Sequence, residues 1–271
     1  MENNIPKFRI LNVDIDNIYT SDLLKRIRQG GILVTPNVDH IMKLRKDAHF
    51  RLVYQQADYV VCDSQIIYWA SIFLGQRIKE KISGSDFFPL FYKYYKSDSQ
   101  IKIFLLGGTS TSVEKARNKI NAQVDREIVV GTYSPPFGFE NNEVECQKIC
   151  AAINSSGATV LAVGLGAPKQ EKWIHRYKSK LFKIRIFLAV GETINFEAGN
   201  TKRAPKWMSN AGLEWLHRLV SNPHRLWKRY LLEGIPFFWL VLLQKFALYS
   251  SRRNQDLAFP QPEIISSSKA D

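Results

Sequence analysis

The chain has 271 residues, 45% of them hydrophobic, and carries 38 Lys and Arg against 25 Asp and Glu for a formal net charge of +13. That apolar content excludes a disordered chain, and the length allows one α/β domain with an appendage or two small domains. No run of 18 uncharged apolar residues occurs, which excludes a conventional membrane span, and Met1–Ile10 lacks the basic and apolar regions of a secretory signal.

In chain order, apolar runs rich in β-branched residues predict strands at Gly31–Thr35, Asp58–Cys62, Ile101–Leu106, Glu127–Gly131, Thr159–Gly164 and Lys183–Val190. Between them apolar residues recur at helical spacing over about Val38–Gln56, Ser64–Leu74, Asp86–Tyr95, Ser112–Gln123, Asn142–Asn154 and Pro168–Tyr177. Strands that are apolar throughout have no face to give to water. They predict an α/β fold, a mostly parallel Rossmann-like sheet with helices on both faces, over residues 1–200.

Residues 201–255 read as a separate helical appendage. From Thr201 to Arg253 there are ten Lys or Arg and two Asp or Glu, which is most of the net charge. The same segment holds Trp207, Trp215, Trp227 and Trp239 and the run Ile235–Leu243, and Ser221-Asn222-Pro223 is a helix-start signal. Cations interleaved with Trp and a short apolar stretch suit a segment lying on an anionic bilayer. A nucleic-acid surface would have little use for that apolar run. Residues 256–271 are expected to be a disordered tail.

Cys62, Cys146 and Cys150 make an odd count without a CxxC pair, and neither these nor His40, His49, His175, His217 and His224 show metal-ligand spacing. The expectation is a reduced, cytoplasmic compartment, with the protein peripheral on the inner face of the membrane. No cofactor, metal or nucleic acid is expected, and a homo-oligomer is compatible with the sequence.

In a doubly wound sheet, ligands bind at the carboxyl ends of the strands, so the residues just after each strand are the candidates. Gly107-Gly108-Thr109 and Gly164–Lys169 each run from a strand into a helix, where glycine admits a phosphate close to exposed amides. The bland reading of each is an ordinary tight turn. Two in one sheet of a basic chain point to a nucleotide diphosphate. Asp63, at the end of a buried strand, fits either a general base or the N-cap of the next helix. Asn37 and Asp39 are likewise open between ligand contact and capping. Asp14-Ile15-Asp16, a DxD of the kind that can hold a metal under a diphosphate, reads better as a cap or turn. In Tyr133–Phe139 the rings could face a sugar or pack on the core.

The ordered set Thr35-Pro36-Asn37-Val38-Asp39, Ala57–Asp63, Gly84-Ser85-Asp86, Leu106–Thr109, Pro135-Pro136-Phe137, Gly164–Glu171, Gly199–Pro205 and Gly212–Tyr230 resembles the WecG/TagA/CpsF family of bacterial glycosyltransferases, glycosyltransferase family 26, over about residues 8–232. The resemblance implies inverting, metal-independent transfer from a UDP-sugar to a polyprenyl-diphosphate-linked sugar in cell-surface polysaccharide synthesis. The sugar would be of the N-acetylmannosamine type, its uronic acid, or a hexose.

By motif match, Asp63 takes the place of the catalytic base, and Thr35 and Asn37 that of the sugar pocket. Gly164, Gly166, Pro168, Lys169, Gln170 and Glu171 would face the nucleotide. Arg203, from the Lys202-Arg203-Ala204-Pro205 motif, with Arg218, Arg225 and Arg229, would meet diphosphate charge. Two positions depart from the family: Lys81 stands where an arginine is common, and Asn195 where many members have Asp. Both are donor-contact candidates. A nucleotide-cofactor oxidoreductase shares the fold and glycine turns but would need the third glycine of the dinucleotide fingerprint, where Lys169 stands.

Overall fold

The computed structural model describes residues 5–200 and 234–246, with isolated positions between 204 and 220. The chain opens on an antiparallel hairpin, β1 (Lys7–Ile10) and β2 (Val13–Asp16), followed by α1 (Thr20–Ile27). Then come β3 (Gly31–Val34), α2 (Val38–Lys46), α3 (Ala48–Gln55), β4 (Tyr59–Val60), α4 (Gln65–Phe73) and α5 (Gly84–Tyr94). The second half supplies β5 (Ile103–Gly107), α6 (Ser110–Val124), β6 (Val129–Tyr133), α7 (Glu143–Ser155), β7 (Val160–Gly164), α8 (Lys169–Tyr177), β8 (Ile186–Ala189) and α9 (Thr193–Glu197). A last described helix, α10, covers Gly234–Lys245.

Six strands form one parallel sheet in the order β4-β3-β8-β7-β5-β6. Their period-two alternation divides the core. Phe104, Leu106, Leu161, Val163 and Phe187 pack with α2, α3, α4, α7, α8 and α10, whereas Ile103, Leu105, Val160, Ala162 and Leu188 pack with α1, α5, α6 and α9. Both sheet faces are therefore dry, which is why the strands read as apolar runs without alternation.

All six expected strands are present. The single helix expected over Val38–Gln56 is two, because Asp47 leaves helical geometry and its side chain accepts the Phe50 N–H at 2.9 Å, capping α3. Strand β6 runs two residues further than expected, which puts Tyr133 in the sheet.

The hairpin gives no sequence signal of its own. It sits at the β4 edge, where the Val60 N–H donates to Asp16 Oδ2 at 2.8 Å. Helix α10 returns to the same region: Phe237 and Val241 are buried, and Gln244 Oε1 accepts the Leu11 N–H at 2.7 Å while its Nε2 donates to the Arg9 carbonyl at 3.0 Å. Leu11 has φ +53°, so Gln244 grips the hairpin at its left-handed turn. The predicted restart at Ser221-Asn222-Pro223 and the tail 256–271 lie outside the described residues.

Candidate active site

Strand order creates the crevice. After β5 the chain enters α6 on one side of the sheet, and after the adjacent β7 it enters α8 on the other. The same divergence occurs between β3, followed by α2, and its neighbour β8, followed by α9. A cleft opens at the carboxyl ends of strands whose connections part in this way.

The glycines at that edge are required by packing. A Cβ on Gly107, at φ +126°, would lie 2.4 Å from the Gly164 carbonyl oxygen. One on Gly164 would lie 2.7 Å from the Gly191 carbonyl oxygen and 2.8 Å from Ile194 Cδ1. Three strand ends thus approach each other closer than any side chain permits. At Gly166, φ +76°, the space beside the backbone is open. Asn195 Oδ1 would be 3.5 Å from a Cβ on Gly108, and its Nδ2 donates to Glu192 Oε2 at 2.8 Å. The structure thus brings Gly107, Gly108, Gly164 and Asn195 together.

At the other end of the crevice, the Asp63 N–H donates to the Pro36 carbonyl at 3.1 Å, which sets Asp63 beside the Thr35–Asn37 junction. The capping alternative for Asp63 is overturned: Ser64 caps α4, accepting the Ile67 N–H at 3.4 Å. Lys81 belongs to the same corner, since Ile82 N–H donates to the Cys62 carbonyl at 2.7 Å and Lys81 and Asp63 both act electrostatically on the Cys62 thiol. Burial pushes that thiol up to about 12, so Cys62 is no nucleophile. Thr35 is buried, and Gly84, at the start of α5, lies so close that a Cβ there would be 3.4 Å from Thr35 Oγ1 and from Val190 Cα. All parallel strands end on one rim. Three strand spacings, about 14 Å, separate the β4 end bearing Asp63 from the β7 turn.

Asn37 and Asp39 use their side-chain oxygens differently. Asn37 caps α2, its Oδ1 accepting the His40 N–H at 3.2 Å. Asp39 instead pairs with Lys43 at 2.9 Å, and Lys43 Nζ also reaches the Ala167 carbonyl at 3.4 Å, tying α2 to the β7–α8 turn. Beneath this pair lies a buried polar cluster. His40 Nδ1 and the Tyr54 hydroxyl are 2.8 Å apart, and burial together with Glu171, Asp63 and Asp39 holds the Tyr54 hydroxyl well above its ordinary value. Lys43 and Tyr54 escaped the sequence reading; for Lys43 the one available signal was its position four residues after Asp39 on a helix.

Within the Gly164–Glu171 motif, the Ala167–Pro168 bond is cis. Lys169 is held at 2.6 Å by Glu140 and stands 5.3 Å from the centroid of the Phe137 ring. Gln170 and Glu171 are 3% and 1% exposed. The aromatic loop divides: Phe137 is fully exposed, Phe139 is core, and the Tyr133 hydroxyl donates to Glu145 Oε1 at 2.7 Å.

The DxD segment is strand, neither cap nor turn, and Asp16 serves the sheet edge. Among the described residues no group of three His, Cys, Asp or Glu side chains could hold a metal ion. Arg203, Arg218, Arg225 and Arg229 lie outside the described residues.

The sequence matches known proteins over most of its length. The family model described as "Glycosyl transferase WecG/TagA/CpsF family" matches residues 8–251. The N-acetylglucosaminyldiphosphoundecaprenol N-acetyl-beta-D-mannosaminyltransferase of Bacillus subtilis is 29% identical over 234 residues, 86% of this chain and 85% of that enzyme. The enzyme of the same name from Bacillus spizizenii is 28% identical over 217 residues, 80% of each chain. A dinucleotide oxidoreductase is thereby set aside. With a family match over residues 8–251, the chain belongs to the WecG/TagA/CpsF family and is a glycosyltransferase.

Proposed function

We propose that this enzyme transfers N-acetylmannosamine, with inversion and without a metal, from its UDP-sugar to a polyprenyl-diphosphate-linked N-acetylglucosamine. The observation that carries this reading is the placement of Asp63 and the glycine-lined turns on one rim, joined through Pro36, Thr35 and the β8 end. The names of the two Bacillus relatives supply the sugar and the acceptor class.

The chemistry is a single displacement. Asp63 takes the proton of the acceptor hydroxyl, the acceptor oxygen bonds to the anomeric carbon, and the bond from that carbon to the diphosphate oxygen breaks with its electron pair going to UDP. Charge grows on the departing diphosphate, so donors must be in place there beforehand. The amides of the Gly107–Thr109 and Gly164–Ala167 turns, the dipoles of α6 and α8, and Lys169 supply them. The tail arginines Arg203, Arg218, Arg225 and Arg229 would add charge-assisted contacts. Thr35, Asn37 and Lys81 border Asp63 and suit the transferred sugar.

A lipid-linked acceptor requires the enzyme to work at a bilayer. In support, α10 buries Phe237 and Val241 but exposes Ile235, Phe238 and Trp239, and α4 exposes Trp69, Ile72 and Phe73. Lys245 Nζ stands 5.6 Å from the Phe73 ring centroid, linking the two faces. No described helix is long and apolar enough to cross a membrane, and these exposed apolar side chains fit peripheral contact with the inner face.

The test is UDP release from a panel of UDP-N-acetylmannosamine, its uronic acid, UDP-glucose and UDP-glucuronic acid with a short-chain prenyl-diphosphate N-acetylglucosamine. Turnover with UDP-N-acetylmannosamine is expected, and silence across the panel refutes the reading. Co-sedimentation with phosphatidylglycerol vesicles should weaken in a Phe238→Glu, Trp239→Glu variant; equal binding removes α10 from the contact.

A further inference from the structure

Glu171 is a buried carboxyl to which the displacement assigns no work. It is 1% exposed, Oε1 accepts from Gln170 Nε2 at 2.9 Å, and among the described residues Oε2 has no hydrogen-bond partner. Gln170, itself 3% exposed, uses its Oε1 to accept the Gly191 N–H at 3.1 Å. The same Gly191 presents its carbonyl oxygen to Gly164, with φ +58°. Both polar groups of the Gly191 residue are thus set against the β7–α8 turn.

A glutamine amide has two orientations related by a half-turn. Here one makes two hydrogen bonds; the other sets the Gln170 NH₂ against the Gly191 N–H and its oxygen against a Glu171 oxygen, two repulsive contacts in a dry site. Glu171 therefore supplies one of the two contacts that set the orientation, the Gly191 N–H supplying the other. An apolar residue at 171 would leave the Gln170 NH₂ without its acceptor and weaken the bias, loosening the hold on the Gly191 N–H.

We propose that Glu171 is a positioning residue whose hydrogen bond from Gln170 fixes the Gly191 peptide at the mouth of the crevice, and with it the cradle for the donor diphosphate. This rests on the reading of that crevice as the UDP-sugar site. The groups facing Glu171 are Lys43 and Asp39 from α2 and Tyr54 from α3. Burial pushes its carboxyl up to about 7, so ionisation, which strengthens the bond from Gln170, falls in the working range of pH.

The experiment compares the full chain with Glu171→Leu, Gln170→Leu, the double variant and Glu171→Gln. Amide hydrogen exchange at Gly191 is read without ligand, and the Kd for UDP-N-acetylmannosamine, with KM and kcat, is read between pH 5.5 and 8.5. The donor's diphosphate is a diester with no ionisation near pH 7, so an inflection there belongs to the protein. Glu171→Leu and Gln170→Leu should each speed Gly191 exchange at least tenfold and raise the donor KM about tenfold with kcat changed less than threefold. The double variant should lose no more than either single one. Glu171→Gln, which keeps an acceptor but cannot ionise, should recover affinity to within about threefold and lose the inflection. Unchanged Gly191 exchange in Glu171→Leu overturns the proposal, as does a fall in kcat alone. If Glu171→Leu fails to fold, Gln170→Leu decides on the same criteria. Failure of the wild-type chain to bind the donor would refute the UDP-sugar reading instead, and Gly191 exchange would still judge the role of Glu171.

Discussion

The Asp63 N–H donates to the Pro36 carbonyl oxygen at 3.1 Å. This bond continues the β3–β4 pairing beyond the last paired residues, Val34 and Val60, so two junctions separated by 26 residues emerge side by side. Ser64, and not Asp63, caps α4.

Asp63→Asn, which keeps the shape of the side chain, should spare the fold and remove the proposed base. General-base catalysis contributes about 10²–10⁴-fold, and kcat should fall by that factor while donor affinity changes little. Single-turnover kinetics beside calorimetric titration of the donor would separate the two. An unchanged kcat removes Asp63 from the reaction.

Gly107→Ala sets a methyl 2.4 Å from a backbone oxygen at φ +126°, and neither backbone can yield without parting β5 from β7. A loss of about 3 kcal/mol is expected, with a melting point lower by several degrees. Gly166→Ala meets only the cost of φ +76° in open space, about 1 kcal/mol. Equal melting points for the two variants would contradict the close-approach argument.

Asp16 is the acidic residue that a metal reading of DxD would need, yet it accepts the Val60 N–H at the sheet edge, and burial raises its carboxyl above the usual range. Asp16→Ala should cost about 1–3 kcal/mol by leaving that N–H unsatisfied, with kcat per folded molecule unchanged. Asp16→Asn, which retains an acceptor, should recover most of the loss. Loss of turnover without loss of melting temperature would restore the metal reading.

Glu171 also marks the stability curve. Its carboxyl ionises at about 7 in the folded chain against 4.5 ordinarily, so between those values the native state holds a proton that the unfolded chain has released. Stability from this group is complete below about pH 4.5 and declines as pH rises through 7, by about 3 kcal/mol in all. Glu171→Gln should flatten that decline. Denaturant midpoints at pH 5 and pH 8 would show it, and parallel curves for wild type and variant would exclude a raised value at Glu171.

What the sequence determined by itself was local burial and chemistry. Runs such as Ile103–Leu106 and Val160–Val163, apolar on both pleat faces, can only sit inside a covered parallel sheet, and the polar junctions after them carried the family resemblance. Tertiary structure decided which junctions meet. Placing β8 between β3 and β7 brings Gly191 against Gly164 and Val190 against Gly84, contacts between segments with no shared periodicity to announce them. It also chose Ser64 over Asp63 as the cap, turned Asp39 to Lys43, and buried Glu171 beneath the turn it was expected to border. Periodicity records how each residue faces its own element, whereas an active site is made by pairing across long sequence separations, and that is settled only when the whole sheet closes its core.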